Sequence, residues 1–189
     1  MDHARRPDKR SLRDELSAVR RARDPAALES ARAAVRAHVL ERVAGIDVVA
    51  AYVPLRTEPG SVELLDELSA RGVRVLVPIT LPDRDLDWTM WTADGGGEPL
   101  GLDAVATAGL VLVPALAVAR DGTRLGRGGG SYDRALARCA PDAVVAALLF
   151  DGELVDRLPR DDWDVPVAAV VAPAGWVGLD RNTDIGFDR

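Results

Sequence analysis

The chain has 189 residues, 48% hydrophobic and 29% charged, an ordinary globular balance with length enough for a full core in one domain. Its formal net charge is −6 and its pI is near 5.0, which argues against a non-specific grip on long nucleic acid, so any anion must be held by a local basic pocket. A lone cysteine, Cys139, excludes an internal disulfide and fits a reducing compartment, while only two histidines, His3 and His38, leave little room for a Ser-His-Asp triad or a histidine zinc site.

From Asp8 to about Arg23 the pattern is helical, with Leu12, Leu16 and Val19 making one apolar stripe. Lys9, Arg13 and Arg20 fall within about 40° of one another beside that stripe. They form either a row of cations on a buried edge or a solvated basic face with snorkelling side chains. Pro25 opens a second helix to about Arg42, where its missing N–H costs nothing.

Asp47–Val53 is an apolar, β-branched run that reads as a strand buried on both faces. Pro54 ends it, and a loop from Leu55 to Gly60 follows. Ser61 then caps a helix with Leu64, Leu65 and Leu68 on its core face and Gly72 as its stop. Val73–Pro78 is the next strand, so this unit predicts a right-handed crossover and a parallel sheet. Its first loop lies beyond a strand's carboxyl end, where open α/β sheets place ligands.

Leu86–Trp91 alternates as an edge strand, with Trp88 and Met90 on one face and Thr89 and Trp91 on the other. Its tryptophans serve core packing or stack on an aromatic ligand. Asp94–Pro99 reads as a loop. Leu110–Ala115 is another buried strand, connected through 117–122 to Arg124-Leu-Gly-Arg-Gly-Gly-Gly-Ser-Tyr-Asp-Arg134. Gly126, Gly128, Gly129 and Gly130 let the backbone approach a bulky anion, and a helix over Ser131–Cys139 would add unpaired N–H groups. With Arg124 and Arg127 this describes a phosphate cradle; a solvated surface loop is the alternative. It is neither a Walker A loop nor the dinucleotide fingerprint. Ala143–Phe150 and Val167–Ala172 complete the strands, the second after an acidic turn at Asp161, Asp162 and Asp164.

The sequence thus predicts an α/β fold: a single three-layer domain over residues 1–189 with an open, mostly parallel sheet flanked by helices, and the N-terminal helices packing on it. Residues 1–7 and 175–189 are expected to be loose tails. With no apolar run of membrane-spanning length and no signal-like N-terminus, a soluble, cytoplasmic protein is expected, without nucleic-acid or membrane partners and as a monomer or weak homodimer. Chemistry resting on Lys, Arg and carboxylates suits phosphate handled with a divalent cation.

Four stretches resemble the 5-formyltetrahydrofolate cyclo-ligase family, also called methenyltetrahydrofolate synthetases. They are Lys9-Arg-Ser-Leu-Arg13, Tyr52-Val-Pro-Leu-x-x-Glu58, Gly122-Thr-Arg-Leu-Gly-Arg-Gly-Gly-Gly-Ser-Tyr-Asp-Arg134, and Pro159 through Pro166. The third is the most specific. The resemblance implies cyclisation of 5-formyltetrahydrofolate to 5,10-methenyltetrahydrofolate with ATP as co-substrate, Mg2+ as cofactor, and release of ADP and phosphate. The formyl oxygen attacks the γ-phosphate, and the neighbouring folate amine then closes the ring as phosphate leaves.

By the same resemblance, ATP would be bound by Lys9, Arg10, Ser11, Leu12 and Arg13 and by Arg124, Leu125, Gly126, Arg127, Gly128, Gly129, Gly130, Ser131 and Tyr132. Val53, Glu58, Arg127, Gly130 and Ser131 would contact the folate, Glu58 at its amino-pterin edge. Arg127 would be catalytic, nearest the transferred phosphoryl. Asp133 and Asp164 would hold magnesium; alternatively Asp133 caps its helix and Asp164 is a turn aspartate. The chain departs from the family where Ser131 replaces an aromatic, where Gly129 stands for a lysine of some members, and where Ala168 replaces an acidic residue. A Gly-Ile-x-Glu-Pro segment survives at most as Glu98-Pro99. These departures leave two further readings: a same-fold ATP-dependent enzyme on another formyl or amide substrate, or a non-catalytic folate or nucleotide binder.

Overall fold

A computed structural model describes residues 8–92, 94, 95 and 97–179. Helix α1 (Lys9–Arg21) starts where Asp8 accepts a hydrogen bond from Ser11 N, and α2 (Pro25–Leu40) where Asp24 accepts one from Ala27 N. Strand β1 (Val48–Ala50) is shorter than its apolar run, and Ala51 N still donates to Leu76 O of the neighbouring strand just past its end. Helix α3 (Val62–Ala70) is capped by the Ser61 side chain and stops at Gly72, as predicted. It leads to β2 (Arg74–Thr80) and the edge strand β3 (Leu86–Met90). A 3-10 turn (Leu102–Thr107) precedes β4 (Leu110–Pro114). Next come β5 (Ala117–Ala119), β6 (Arg124–Leu125), α4 (Ser131–Leu136), β7 (Val144–Leu148), β8 (Leu154–Val155), β9 (Ala169–Ala172) and β10 (Gly175–Gly178).

Seven strands form one sheet in the order β10-β9-β7-β4-β1-β2-β3. Its inner pairs, β9–β7, β7–β4, β4–β1 and β1–β2, are parallel, and only the edge strands β3 and β10 run antiparallel. Alternation along each strand divides the core into two. Val49, Leu110 and Leu112 face α2 and α3 on one side; Val48, Ala50, Val111 and Val113 face the other, with Trp88 and Leu136. This is the predicted three-layer arrangement. Pro78 sits inside β2 without disrupting it. Leu76 O is taken by Ala51 N, so by alternation Pro78 faces the same side, past the last β1 residue, where no ladder bond is needed.

Four expectations are corrected. The connector at 117–122 is part of a second, three-stranded sheet, β6-β5-β8. Gly122, at φ +86°, turns that hairpin, and a β-carbon there would lie 2.5 Å from Val167 O. The helix after the glycine run ends at Leu136, three residues before Cys139. Residues 175–178 are no loose tail, because β10 pairs with β9 through Gly175–Gly178; residues 1–7 and 180–189 lie outside the described residues. Finally, α2 packs on β9 and β10, but α1 is tied instead to the carboxyl ends of the strands. Arg20, buried, donates to both Glu153 oxygens (2.8 and 2.6 Å) and to Ala115 O (2.6 Å). Glu153 also accepts from Phe150 N, so this buried pair has the extra hydrogen bonds such a pair requires. Among the described residues no helix is long and apolar enough to cross a membrane.

Candidate active site

A cavity of about 1000 Å³ opens over the carboxyl ends of β1, β2 and β4, where Tyr52, Pro78 and Pro114 line it. The glycine run forms one wall. Gly128, Gly129 and Gly130 have φ of +100°, +106° and +71°, a backbone path that side-chain-bearing residues adopt only with strain. The cradle therefore rests on these glycines more than on α4, a helix of six residues.

Helix α1 brings two cations to the same wall. Arg13 Nε donates to Gly126 O at 2.8 Å. Lys9 Nζ donates to Asp164 Oδ2 at 2.6 Å and to Asp161 Oδ2 at 2.7 Å. Partial burial alone would depress the Lys9 ammonium, but these two carboxylates outweigh it and hold its pKa above the usual lysine value. The three predicted cations thus separate: Lys9 and Arg13 line the cavity, and Arg20 anchors the other end of their helix.

Arg124 is buried, donating to Asp133 Oδ1 at 3.0 Å and to Pro114 O at 3.3 Å. Asp133 Oδ1 also accepts from Val165 N at 3.3 Å. Asp133 therefore does not cap its helix; it ties α4 to the segment carrying Asp164. Asp164 does close its own turn, since its Oδ2 accepts from Asp161 N at 2.8 Å. Both aspartates line the cavity.

The opposite wall belongs to the loop after β1. Glu58, 3% exposed, accepts from Leu55 N at 2.8 Å through Oε2 and from Arg127 Nε at 3.1 Å through Oε1. Beside it the Tyr52 hydroxyl is buried with no hydrogen-bond partner among the described residues, and burial, with Glu58 adding to it, raises its pKa. Val53 is half-exposed on the same wall.

Most of the expected residues meet here: Lys9, Arg13, Val53, Glu58, Arg124, Gly126 to Gly130, Ser131, Tyr132, Asp133 and Asp164 all line the cavity. Arg10, Ser11, Leu12 and Leu125 do not. Arg10 and Ser11 face outward, and Leu125 is buried in the core at 1% exposure. Trp88 is fully buried and Trp91 Nε1 donates to Asp66, and neither lines the cavity. Sequence reasoning missed Tyr52, Thr80, Arg134, Asp161 and Trp163 as lining residues. Tyr52, Arg134, Asp161 and Trp163 stood in noticed segments, whereas Thr80 reaches the cavity from the end of a strand whose pattern carries only packing.

Residues 5–173 match the model of the 5-formyltetrahydrofolate cyclo-ligase family. The chain belongs to that family. A 5-formyltetrahydrofolate cyclo-ligase of Mycolicibacterium smegmatis is 43% identical over 141 residues, covering 66% of this chain and 73% of that protein. The solved 5,10-methenyltetrahydrofolate synthetase of Mycoplasma pneumoniae superposes with a TM-score of 0.76 at 20% identity, over 88% of this chain and 99% of that one. That of Aquifex aeolicus does so with a TM-score of 0.70 at 22% identity, over 94% and 95%. At such identities these two structures speak for the cyclo-ligase fold alone.

Proposed function

We propose that this cyclo-ligase family member uses ATP to close 5-formyltetrahydrofolate to 5,10-methenyltetrahydrofolate, with release of ADP and phosphate. One observation carries the reading beyond family membership: the glycine run with Lys9 and Arg13, and the buried Glu58 with Arg127, are two walls of one cavity. A polyanion and a formylated pterin can therefore meet in it.

The chemistry asks for charge placement more than for proton transfer. A formyl oxygen is a poor leaving group until it is phosphorylated. It attacks the γ-phosphorus, the bond to the bridging oxygen breaks, and ADP departs. The neighbouring folate amine then adds to the activated carbon, the carbon–oxygen bond breaks, phosphate leaves, and the amine's proton goes to solvent. Lys9, Arg13 and the amides of Gly128–Gly130 bind the triphosphate. Arg127 reaches from this wall towards Glu58 and stabilises the charge on the transferred group. Glu58 accepts from the amino-pterin edge in charge-assisted hydrogen bonds, with Val53 and Ser131 against the ring.

Asp133 and Asp164 would hold magnesium together with phosphate oxygens. Among the described residues no group of three or more His, Cys, Asp or Glu side chains is placed to hold a metal. That donor set fits magnesium, which takes one or two carboxylates with substrate phosphates and water. When bound it would neutralise charge on the phosphate oxygens. The experiment is near-ultraviolet absorbance of the methenyl product in the presence of ATP, magnesium and 5-formyltetrahydrofolate. Product is expected only with all three present; none with all three present would refute the proposal, and calorimetric folate binding without turnover would indicate a non-catalytic binder.

A further inference from the structure

Three consecutive glycines face three arginines that arrive from three different elements. A β-carbon at Gly128 would lie 3.7 Å from Arg13 Cζ. One at Gly129 would lie 3.8 Å from Arg84 Cδ and 3.9 Å from Arg84 Nη1, and one at Gly130 would lie 3.9 Å from Arg134 Nη1. An added β-carbon at each position would thus come into van der Waals contact with an arginine, so the three side chains lie alongside the run. Arg13 comes from α1, Arg84 from the turn between β2 and β3, and Arg134 from α4.

Their engagements differ. Arg13 donates to Gly126 O. Arg134 Nη2 donates to Asp83 O at 3.2 Å, and its Nε is 4.0 Å from Asp85. Arg84 is exposed, and among the described residues its guanidinium makes no ion pair or hydrogen bond, whereas the nearby carboxylate of Asp85 is committed to Arg138. Every other cation on the glycine wall already has a partner.

The backbone singles out the same residue. Arg84, at φ +68°, is the one non-glycine with positive φ among the described residues. A side-chain-bearing residue keeps that conformation only where its surroundings impose it, and such residues gather at functional sites. Here the surroundings are explicit. Arg84 N donates to Leu81 O, and Leu81 N to Asp85 O, both at 2.9 Å. Asp85 N donates to Asp83 Oδ1, and Arg138 grips both Asp85 oxygens at 2.9 and 2.6 Å. Arg134 and Arg138 thus fasten the turn to the segment that follows the glycine run, and the turn lays Arg84 against Gly129.

We propose that Arg84 is a further nucleotide-binding residue, whose guanidinium donates to the phosphate oxygens of ATP seated on Gly128–Gly130. A planar guanidinium matches phosphate oxygens two at a time. Arg134 is a positioning residue that holds the turn in register through Asp83 O. This inference rests on the reading of the cavity as an ATP site. The other anion that could reach Arg84 is a carboxylate of the folate's glutamate tail, and the two sources differ in which substrate's binding responds.

The test is calorimetric binding of ATP to the whole chain and to Arg84→Gly, Arg84→Asn and Arg84→Lys, with KM for each substrate measured in parallel. Glycine and asparagine both accept the left-handed backbone, so these two variants remove the charge and keep the turn; two of them guard against loss of fold in one. The expected result is an ATP affinity lowered by about tenfold or more in both, the scale of one hydrogen bond to a charged group. Lysine should restore part of it, the affinity should depend less steeply on salt, and KM for 5-formyltetrahydrofolate should stay within about twofold. ATP affinity unchanged within about twofold would overturn the proposal, as would a rise confined to the folate KM. Failure of the unaltered chain to bind ATP would overturn the ATP reading itself, and this proposal with it.

Discussion

Arg127 Nε lies 3.1 Å from Glu58 Oε1, so the arginine assigned to the transferred phosphoryl is the partner of the carboxylate assigned to the pterin. The pair spans the cavity from the glycine run to the loop after β1, and it is half-open on the arginine side, where Arg127 is 42% exposed against 4% for Glu58. On the proposed function, a folate held by Glu58 would compete with Arg127 for Oε1.

Arg127→Ala should accordingly lower turnover by about 10³, the scale for an arginine that stabilises phosphoryl-transfer charge. ATP affinity measured by calorimetry should change far less. Equal losses in both would show that Arg127 only positions the nucleotide.

Lys9 must exchange partners if it is to neutralise a phosphate, because its ammonium is bonded to Asp161 and Asp164. Lys9→Ala should weaken ATP binding by about tenfold, read by calorimetry; unchanged affinity would remove α1 from the site. The raised Lys9 pKa sets the pH dependence. Stability from these ion pairs is fully present below the ordinary lysine pKa and is lost as pH rises through the raised folded value. Between neutrality and pH 9 the contribution of Lys9 to ATP affinity should be flat.

Asp85 behaves oppositely. The Arg138 guanidinium beside it pulls its carboxyl from an ordinary value of 3.8 down to about 2. Its contribution to stability is therefore present above the unfolded pKa and is lost as pH falls through the folded one. Thermal melts of the unaltered chain should lose stability between about pH 4 and about pH 2, and Asp85→Asn should be less stable at neutral pH with a flatter acid limb. Identical acid limbs would separate the anchor of the Arg84 turn from acid stability.

Much of this was legible in the sequence, for physical reasons. Continuous apolar, valine-rich runs at Val48–Ala50, Leu110–Pro114 and Val144–Leu148 mark strands buried on both faces. The glycine run announces a backbone that side-chain-bearing residues adopt only with strain, and the cap at Ser61 is local chemistry. The small sheet was illegible because strands of two or three residues carry no period. The end of α4 was missed because the apolar pattern continues past Leu136 while the backbone does not. Arg84 carried no signal at all: its place beside Gly129 depends on a turn fastened by Arg138 through Asp85, a contact between residues distant in the chain. Motif neighbours such as Leu12 and Leu125 misled in the other direction, since a motif records packing and chemistry together.

The central claim is that the cavity brings a γ-phosphate to a formyl oxygen. The most direct measurement is turnover of 5-formyltetrahydrofolate carrying oxygen-18 in its formyl group, with ATP and magnesium, followed by mass analysis of the phosphate released. The account predicts that each methenyl product is matched by one ADP and by one phosphate bearing the heavy oxygen. Unlabelled phosphate, or ring closure without ATP cleavage, would contradict it.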